Sequence, residues 1–320
     1  MKLSRLVVAA VVATALPITA RAQDNQGLQI RGVTQIDTTV RLDRGGAVDL
    51  SLISGKIRVT GWDRADVKIT ASIESGRLRF TSNSSRVSLT VDDSDDEGRR
   101  GRRHNNNTGE AQYEVSVPRG SRLILEAVSG DVTAKGSQGE IEASSVSGDV
   151  DVTDGERAVS AESVSGNVHA AQVNGSLRAE TVSGDLRIEN VKGDLEASSV
   201  SGNIRMVGAQ SKDVRTESVS GDIIYSGTIE PAGRYSFESH SGTLRLNIPR
   251  NAGAQFSVET FSGDLQTDFP VTISGGTPLR REGRVEFTIG DGRAKVTAQT
   301  FSGSIMINDG TDSTTRRDDE

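Results

Sequence analysis

From Gly130 onward, glycine returns every nine residues, and no other feature narrows the fold of this chain so far. Gly130, Gly139, Gly148, Gly166, Gly175, Gly184, Gly193 and Gly202 hold the register, and only Arg157 breaks it. At this chain's glycine content, eight hits in nine arise by chance on the order of once in ten million. The neighbours keep the same period. Two residues after each position stands an aliphatic residue, from Val132 and Ile141 to Leu195 and Ile204. Four residues after stands an apolar, mostly small one: Ala134, Ala143, Val152, Ala161, Ala170, Ala179. Apolar residues two apart mark a strand with one buried face, whereas a helix would need a spacing of 3.6. The glycine suits a corner that needs either positive φ or close backbone approach.

Alternate nonads are more alike than adjacent ones. Ser/Thr-Val-Ser-Gly-Asp/Asn-apolar occurs at Ser145–Val150, Ser163–Val168, Thr181–Leu186, Ser199–Ile204 and Ser218–Ile223. The unit is therefore a pair of nonads, two strands per coil. One such unit cannot bury its apolar side alone, so the units must stack. The expected fold is all-β: a single-domain, parallel, right-handed β-solenoid with about 18–21 residues per coil, capped at both ends. No proline lies between Pro118 and Pro231, which suits an unbroken ladder of backbone hydrogen bonds.

Stacking predicts ladders of like residues. Val146, Val164, Val182, Val200 and Val219 form an apolar one, with Ser147, Ser165, Ser183, Ser201 and Ser220 beside it. Asp149, Asn167, Asp185, Asn203 and Asp222 form the third. Carboxylates on adjacent coils would stand about 5 Å apart and repel. Alternating Asp with Asn doubles that spacing and supplies an amide donor, so this surface ladder reads first as a device of the fold. After Asp222 the period lengthens: Gly221, Gly242 and Gly263 are 21 apart, and Gly303 is 40 further on, about two coils. Tyr225, Tyr235, Phe237, Phe256, Phe261, Phe269, Phe287 and Phe301 enter here, which predicts a wider interior and a C-terminal cap.

The remaining segments divide the chain. Residues 1–22 read as a secretory signal peptide: Lys2 and Arg5, the apolar run Leu6 to Leu16, and Ala20-Arg21-Ala22 as the cleavage site. The solenoid domain is 23–310. Within it, 28–91 gives N-terminal coils and a cap, 92–110 a disordered insertion loop, 111–220 the regular repeats, and 221–310 the longer C-terminal coils and cap. Residues 311–320 are a disordered tail. Trp62, the only tryptophan, reads as a cap residue rather than a ligand platform. Cleavage after Ala22 leaves 34 basic and 44 acidic residues, a net charge of −10. That disfavours nucleic acid and anionic lipid as partners.

Several chemistries fall away. With no cysteine there are no disulfides, thiolate metal sites or cysteine nucleophiles. His104, His169 and His240 are scattered and match no catalytic motif; His240 stands where valine precedes Ser-Gly, as a pocket or partly buried residue. Gly290-Asp291-Gly292 lacks the Lys-Ser/Thr of a phosphate loop. Asp149 with Asp185, or Asp185 with Asp222, would stand about 9.6 Å apart, at the limit for inverting glycoside hydrolysis, but that spacing follows from the ladder itself. The same acids offer hard cations one ligand per corner, too little for a committed metal site. No catalytic, cofactor-binding or metal residue is assigned.

The chain also resembles a bacterial adhesin-like family of β-strand-repeat domains of unknown function, the toastrack domains. The carrying segments are Ser54–Asp63, Val115–Gly120, the Val-Ser-Gly-Asp repeats, Leu246–Pro249, Ile289–Gly292 and Phe301–Ile305, and the resemblance covers about 28–308. The resemblance implies a β-solenoid, an exported protein and no catalytic residues. In some relatives it also implies a link to membrane-anchored envelope-stress proteins. The combined expectation is an exported, noncatalytic β-solenoid acting as an adhesin-like or binding scaffold in the periplasm, on the cell surface or in the medium. It needs no cofactor and does not insert in the membrane after signal cleavage. Its partner would be a protein or polysaccharide surface at the cell envelope. The alternatives are a periplasmic envelope-stress or signalling accessory working through a membrane partner and, further off, a carbohydrate-active β-helix enzyme.

Overall fold

Along Leu195–Ser199 the side chains alternate strictly between core and surface, and the same alternation recurs in nearly every strand. A computed structural model describes residues 28–91, 109–270 and 284–310. The signal-peptide reading (1–22), most of the 92–110 insertion and the 311–320 tail lie outside the described residues.

The chain begins with β1 (Leu28–Val33) and β2 (Gln35–Arg41). β3 (Ala47–Trp62) is a full coil in one strand. β4 (Asp66–Ile73), β5 (Leu78–Ser82), β6 (Arg86–Val91) and β7 (Ala111–Pro118) follow, and β8 (Arg122–Ser137) is again a full coil. From there coils are strand pairs: β9 (Ile141–Ser145) with β10 (Val150–Gly155), β11 (Val159–Ser163) with β12 (Val168–Val173), β13 (Leu177–Ser183) with β14 (Leu186–Val191). Next come β15 (Leu195–Ser201) with β16 (Ile204–Ala209), β17 (Asp213–Ser220) with β18 (Ile223–Gly227), and β19 (Arg234–Ser241) with β20 (Leu244–Ile248). β21 (Ala254–Ser262), β22 (Leu265–Thr267), β23 (Arg284–Ile289), β24 (Ala294–Ser302) and β25 (Ile305–Asp309) complete the described chain.

Strands pair with their equivalents one coil away, in parallel and in the register of the repeat: Val159 opposite Leu177, Leu177 opposite Leu195, Val150 opposite Val168. The coil is two-sided. One face runs β9–β11–β13–β15–β17–β19, the other β10–β12–β14–β16–β18–β20. Their inner rows form one apolar core in which Val132, Val150, Val168 and Ile204 are fully buried. Each such side chain contributes about 1.5–3 kcal/mol on burial. The β-solenoid read from the period is the observed fold.

Glycine at the Ser-Gly corner answers to close approach. A Cβ on Gly148, Gly166, Gly184 or Gly202 would overlap the carbonyl oxygen of the corner glycine one coil before it. Positive φ enters this corner at Gly221, Gly242, Gly263 and Gly303 (147–157°), and it also marks the opposite corner, where Gly136, Asp154, Gln172, Asn190 and Gly208 recur once per coil at φ 71°, 62°, 57°, 56° and 71°. Asp and Asn tolerate this region better than other side chains.

The two ends depart from a simple sequential stack. β24 pairs with β19 on one side and β21 on the other, and β25 sits likewise between β20 and β22. The last coil in sequence is therefore the second-to-last in space, and Gly303 stacks between Gly242 and Gly263. At the other end β3 is held between β8 and the later strands β6 and β7. Antiparallel strands lie beyond: β5 and β1 on one face, β4 and β2 on the other, and β23 against β21.

Candidate binding surface

Each residue of the repeated corner motif has a distinct place. The first Ser/Thr points inward. Ser145, Ser163 and Thr181 donate to the carbonyls of Gly130, Gly148 and Gly166 at 2.9, 3.0 and 3.1 Å. These bonds tie adjacent coils and satisfy buried carbonyls. The valine that follows points outward. Val146, Val164, Val182, Val200 and Val219 form the ladder expected of them, and it faces solvent at 44–52% exposure. Register extends it backward to Val128 and Ile53, and forward to His240, Phe301 and Phe261.

The Asp/Asn position caps the next coil. Asp149 accepts the backbone N–H of Asn167 at 2.8 Å, Asn167 that of Asp185 at 3.0 Å, and Asp185 that of Asn203 at 2.8 Å. Asn203 accepts from the N–H of Asp222 at 3.1 Å, and Asp222 from that of Thr243 at 2.8 Å. The Asn167 and Asn203 amides also donate to Asp149 and Asp185, each at 3.3 Å. One carboxylate oxygen of each acid is thus committed to the backbone. Among the described residues no group of three His, Asp or Glu could hold a metal ion.

At the C-terminal end the ladder becomes aromatic. His240 stacks on Phe301 with ring centroids 5.0 Å apart, and Phe301 stacks on Phe261 at 4.9 Å, the rings within 5° of parallel. Phe261 and Phe301, which the composition of this region suggested for a wider interior, stand outside it, Phe261 at 80% exposure. The rings that do fill the interior of this region are Tyr225, Tyr235, Phe237, Phe256 and Phe287, all buried. The sequence signal that assigns the two exposed phenylalanines is their place before Ser-Gly, the slot valine fills elsewhere.

Beside the aromatic rungs runs a groove of about 600 Å³. Its floor is the buried hydroxyl row Ser199, Ser218, Ser239 and Thr300, and its outer wall is Ser198, Glu217, Glu238, Gln299 and Glu259. Arg215 Nε donates to Glu217 at 2.8 Å, and this bond raises the guanidinium pKa further. Arg284 pairs with Glu259 at 2.9 Å. His240 is exposed on the groove, and His169 lies on the opposite face with Nδ1 3.2 Å from Asp151. His104 is outside the described residues. Trp62 is half-buried at the end of β3, its indole N–H donating to the Asp66 carbonyl at 2.7 Å and Arg64 lying 4.9 Å from its ring.

A family model described as Toastrack DUF4097 matches residues 46–308. No curated protein matches the chain. Among solved structures, the chain is similar to a "putative cell adhesion protein" from Clostridium sporogenes ATCC 15579, at 14% identity over 86% of this chain and 99% of that one, with a TM-score of 0.24. No helix among the described residues is long and apolar enough to cross a membrane.

Proposed function

This chain belongs to the toastrack family, and on that premise we propose that it is an exported binding scaffold of the cell envelope, with the exposed corner ladder as its contact surface. The observation that carries the reading is the ladder itself. Nine outward rungs from Val128 to Phe261 keep apolar side chains, or in one case histidine, where the core does not need them. Single exposed apolar residues are ordinary, but a contiguous apolar stripe marks an interaction surface. A rigid stack presents it as a line about 38 Å long at the strand spacing. The noncatalytic part of the reading is supported by the carboxylates of the Asp/Asn ladder: Asp149, Asp185 and Asp222 each have one oxygen held by a backbone N–H of the next coil.

The location is tested by protease and antibody access to the chain on intact cells and on cells whose outer membrane has been opened. The expected result is a processed chain outside the inner membrane. Access on intact cells supports surface adhesion, and protection until opening supports a periplasmic partner. A chain found unprocessed in the cytoplasm overturns the proposal.

A further inference from the structure

The ladder is bordered by carboxylates along both margins. On the groove side the row one position beyond the inward hydroxyls carries Glu126, Glu162, Glu180, Glu217, Glu238 and Glu259, with only serine or glutamine in the other coils. Around the corner stand Asp131, Asp149, Asp185, Asp222 and Asp264, and the one cation in that row, Lys56, pairs with Asp131 at 3.4 Å. The arginines that pair with Glu180, Glu217 and Glu259 come from farther along the strands or from β23, so carboxylates are the charges nearest the apolar stripe. Glu162 and Glu238 accept hydrogen bonds from Ser160 and Ser236 at 2.9 and 3.0 Å. An apolar line between acidic margins complements a ligand with an apolar stripe and basic flanks.

Spacing selects the ligand's form. The aromatic rungs are 5.0 and 4.9 Å apart. An α-helix laid along the stack offers one apolar residue per turn, at intervals of about 5.4 Å. An extended strand offers one per about 6.8 Å. Over three rungs, which are two intervals, the helix drifts from the ladder by about 1 Å and the strand by about 4 Å. The five rungs Val200, Val219, His240, Phe301 and Phe261 cover about 19 Å, which is about 13 helical residues. Phe261, the most exposed rung, stands at the end of the ring stack and offers an aromatic anchor.

We propose that the groove between the aromatic rungs and the Glu217–Glu238–Glu259 wall docks a basic amphipathic helix of a partner protein. This rests on the ladder being a contact surface and adds the class of partner. The probe is a fluorescent helical peptide of about 14 residues, with leucines on one face and lysines on both flanks. Its counterpart carries glutamate for lysine. Binding to the full chain is read by anisotropy. The lysine peptide is expected to bind in a salt-sensitive way and to weaken about tenfold when Glu217→Gln, Glu238→Gln and Glu259→Gln are combined. A control lacking as many acids elsewhere (Glu110→Gln, Glu140→Gln, Asp194→Asn) should change by less than about twofold. Phe261→Ser with Phe301→Ser should also weaken binding, and circular dichroism confirms that each variant is folded. No binding of the lysine peptide, or equal losses in both acid variants, overturns the helix proposal. Ladder-dependent binding of the glutamate peptide, or of a soluble polysaccharide in its place, overturns the choice of partner while leaving the contact surface standing.

Discussion

The central coils, β9 to β16, and the C-terminal coils, β17 to β25, use one motif to different ends. Inside, the central coils bring Ala143, Ala161, Ala179 and Ala197 to the position that Phe237 fills two coils beyond Ala197. Small side chains hold the faces close. Aromatic ones need more room, and the coils that carry them are longer: the spacing of equivalent positions grows from 18 to 19 and then to 21. Tyr225, Tyr235 and Phe237 meet there, with ring centroids 6.1 and 5.3 Å apart. The Tyr235 hydroxyl donates to the Ser211 carbonyl at 2.7 Å, inside the lengthened corner. Outside, valine gives way to His240, Phe301 and Phe261. Longer coils thus go with larger buried side chains, while the outward slot before Ser-Gly varies independently of them.

That contrast can be broken at several points. Phe237→Ala should cost the C-terminal coils about 3–5 kcal/mol, read from urea midpoints, because it opens a cavity where no neighbour can close in. A loss below about 1 kcal/mol would mean the wide interior is loosely packed. Gly184→Ala should cost about 3 kcal/mol or more, since its methyl would overlap the Gly166 carbonyl. Gly120→Ala, whose methyl meets nothing within 4 Å, should stay within about 0.5 kcal/mol. Asp185→Ala removes the acceptor for the Asn203 N–H and should cost about 0.5–1.5 kcal/mol.

Alkaline pH sharpens the same comparison. The chain's three tyrosines, Tyr113, Tyr225 and Tyr235, are all buried, and burial raises each hydroxyl pKa. The folded pKa lies above the unfolded value of about 10, so the unfolded chain loses its tyrosine protons first. The stabilisation is complete below about pH 10 and is lost as pH rises beyond it toward the folded values. Phenolate absorbance should therefore appear together with unfolding. A separate phenolate step near pH 10 in a still-folded chain would contradict the burial of these rings.

The sequence made the period, the strand faces and the Asp/Asn ladder legible because each depends on residue-to-residue register, but not the capping of the next coil's backbone N–H by that ladder, which needs the stacked geometry. Register does not encode coil order. Thr300–Ile305 aligns equally well against Ser239–Leu244 and Thr260–Leu265, so nothing in the spacing of Gly303 says that β24 and β25 slide between earlier coils. The exposed phenylalanines were obscured in another way: a region rich in aromatics reads as core until each ring is assigned its slot in the repeat. The inward hydroxyl of the motif was equally quiet, since its role toward the previous coil's glycine carbonyl exists only once the coils stack.

The most direct test of the contact surface separates binding from stability. Val164, Val182, Val200, Val219, Phe261 and Phe301 are replaced together by threonine, which keeps the β-branched strand preference. Retention of the purified chain on the envelope fraction of the producing cell is then measured against the unaltered chain, with the unfolding midpoint of each. The expected result is an altered chain whose unfolding shifts by no more than about 0.5 kcal/mol per site and which no longer stays on the envelope. Unchanged retention, or loss of the fold itself, would contradict the claim that this ladder serves contact rather than packing.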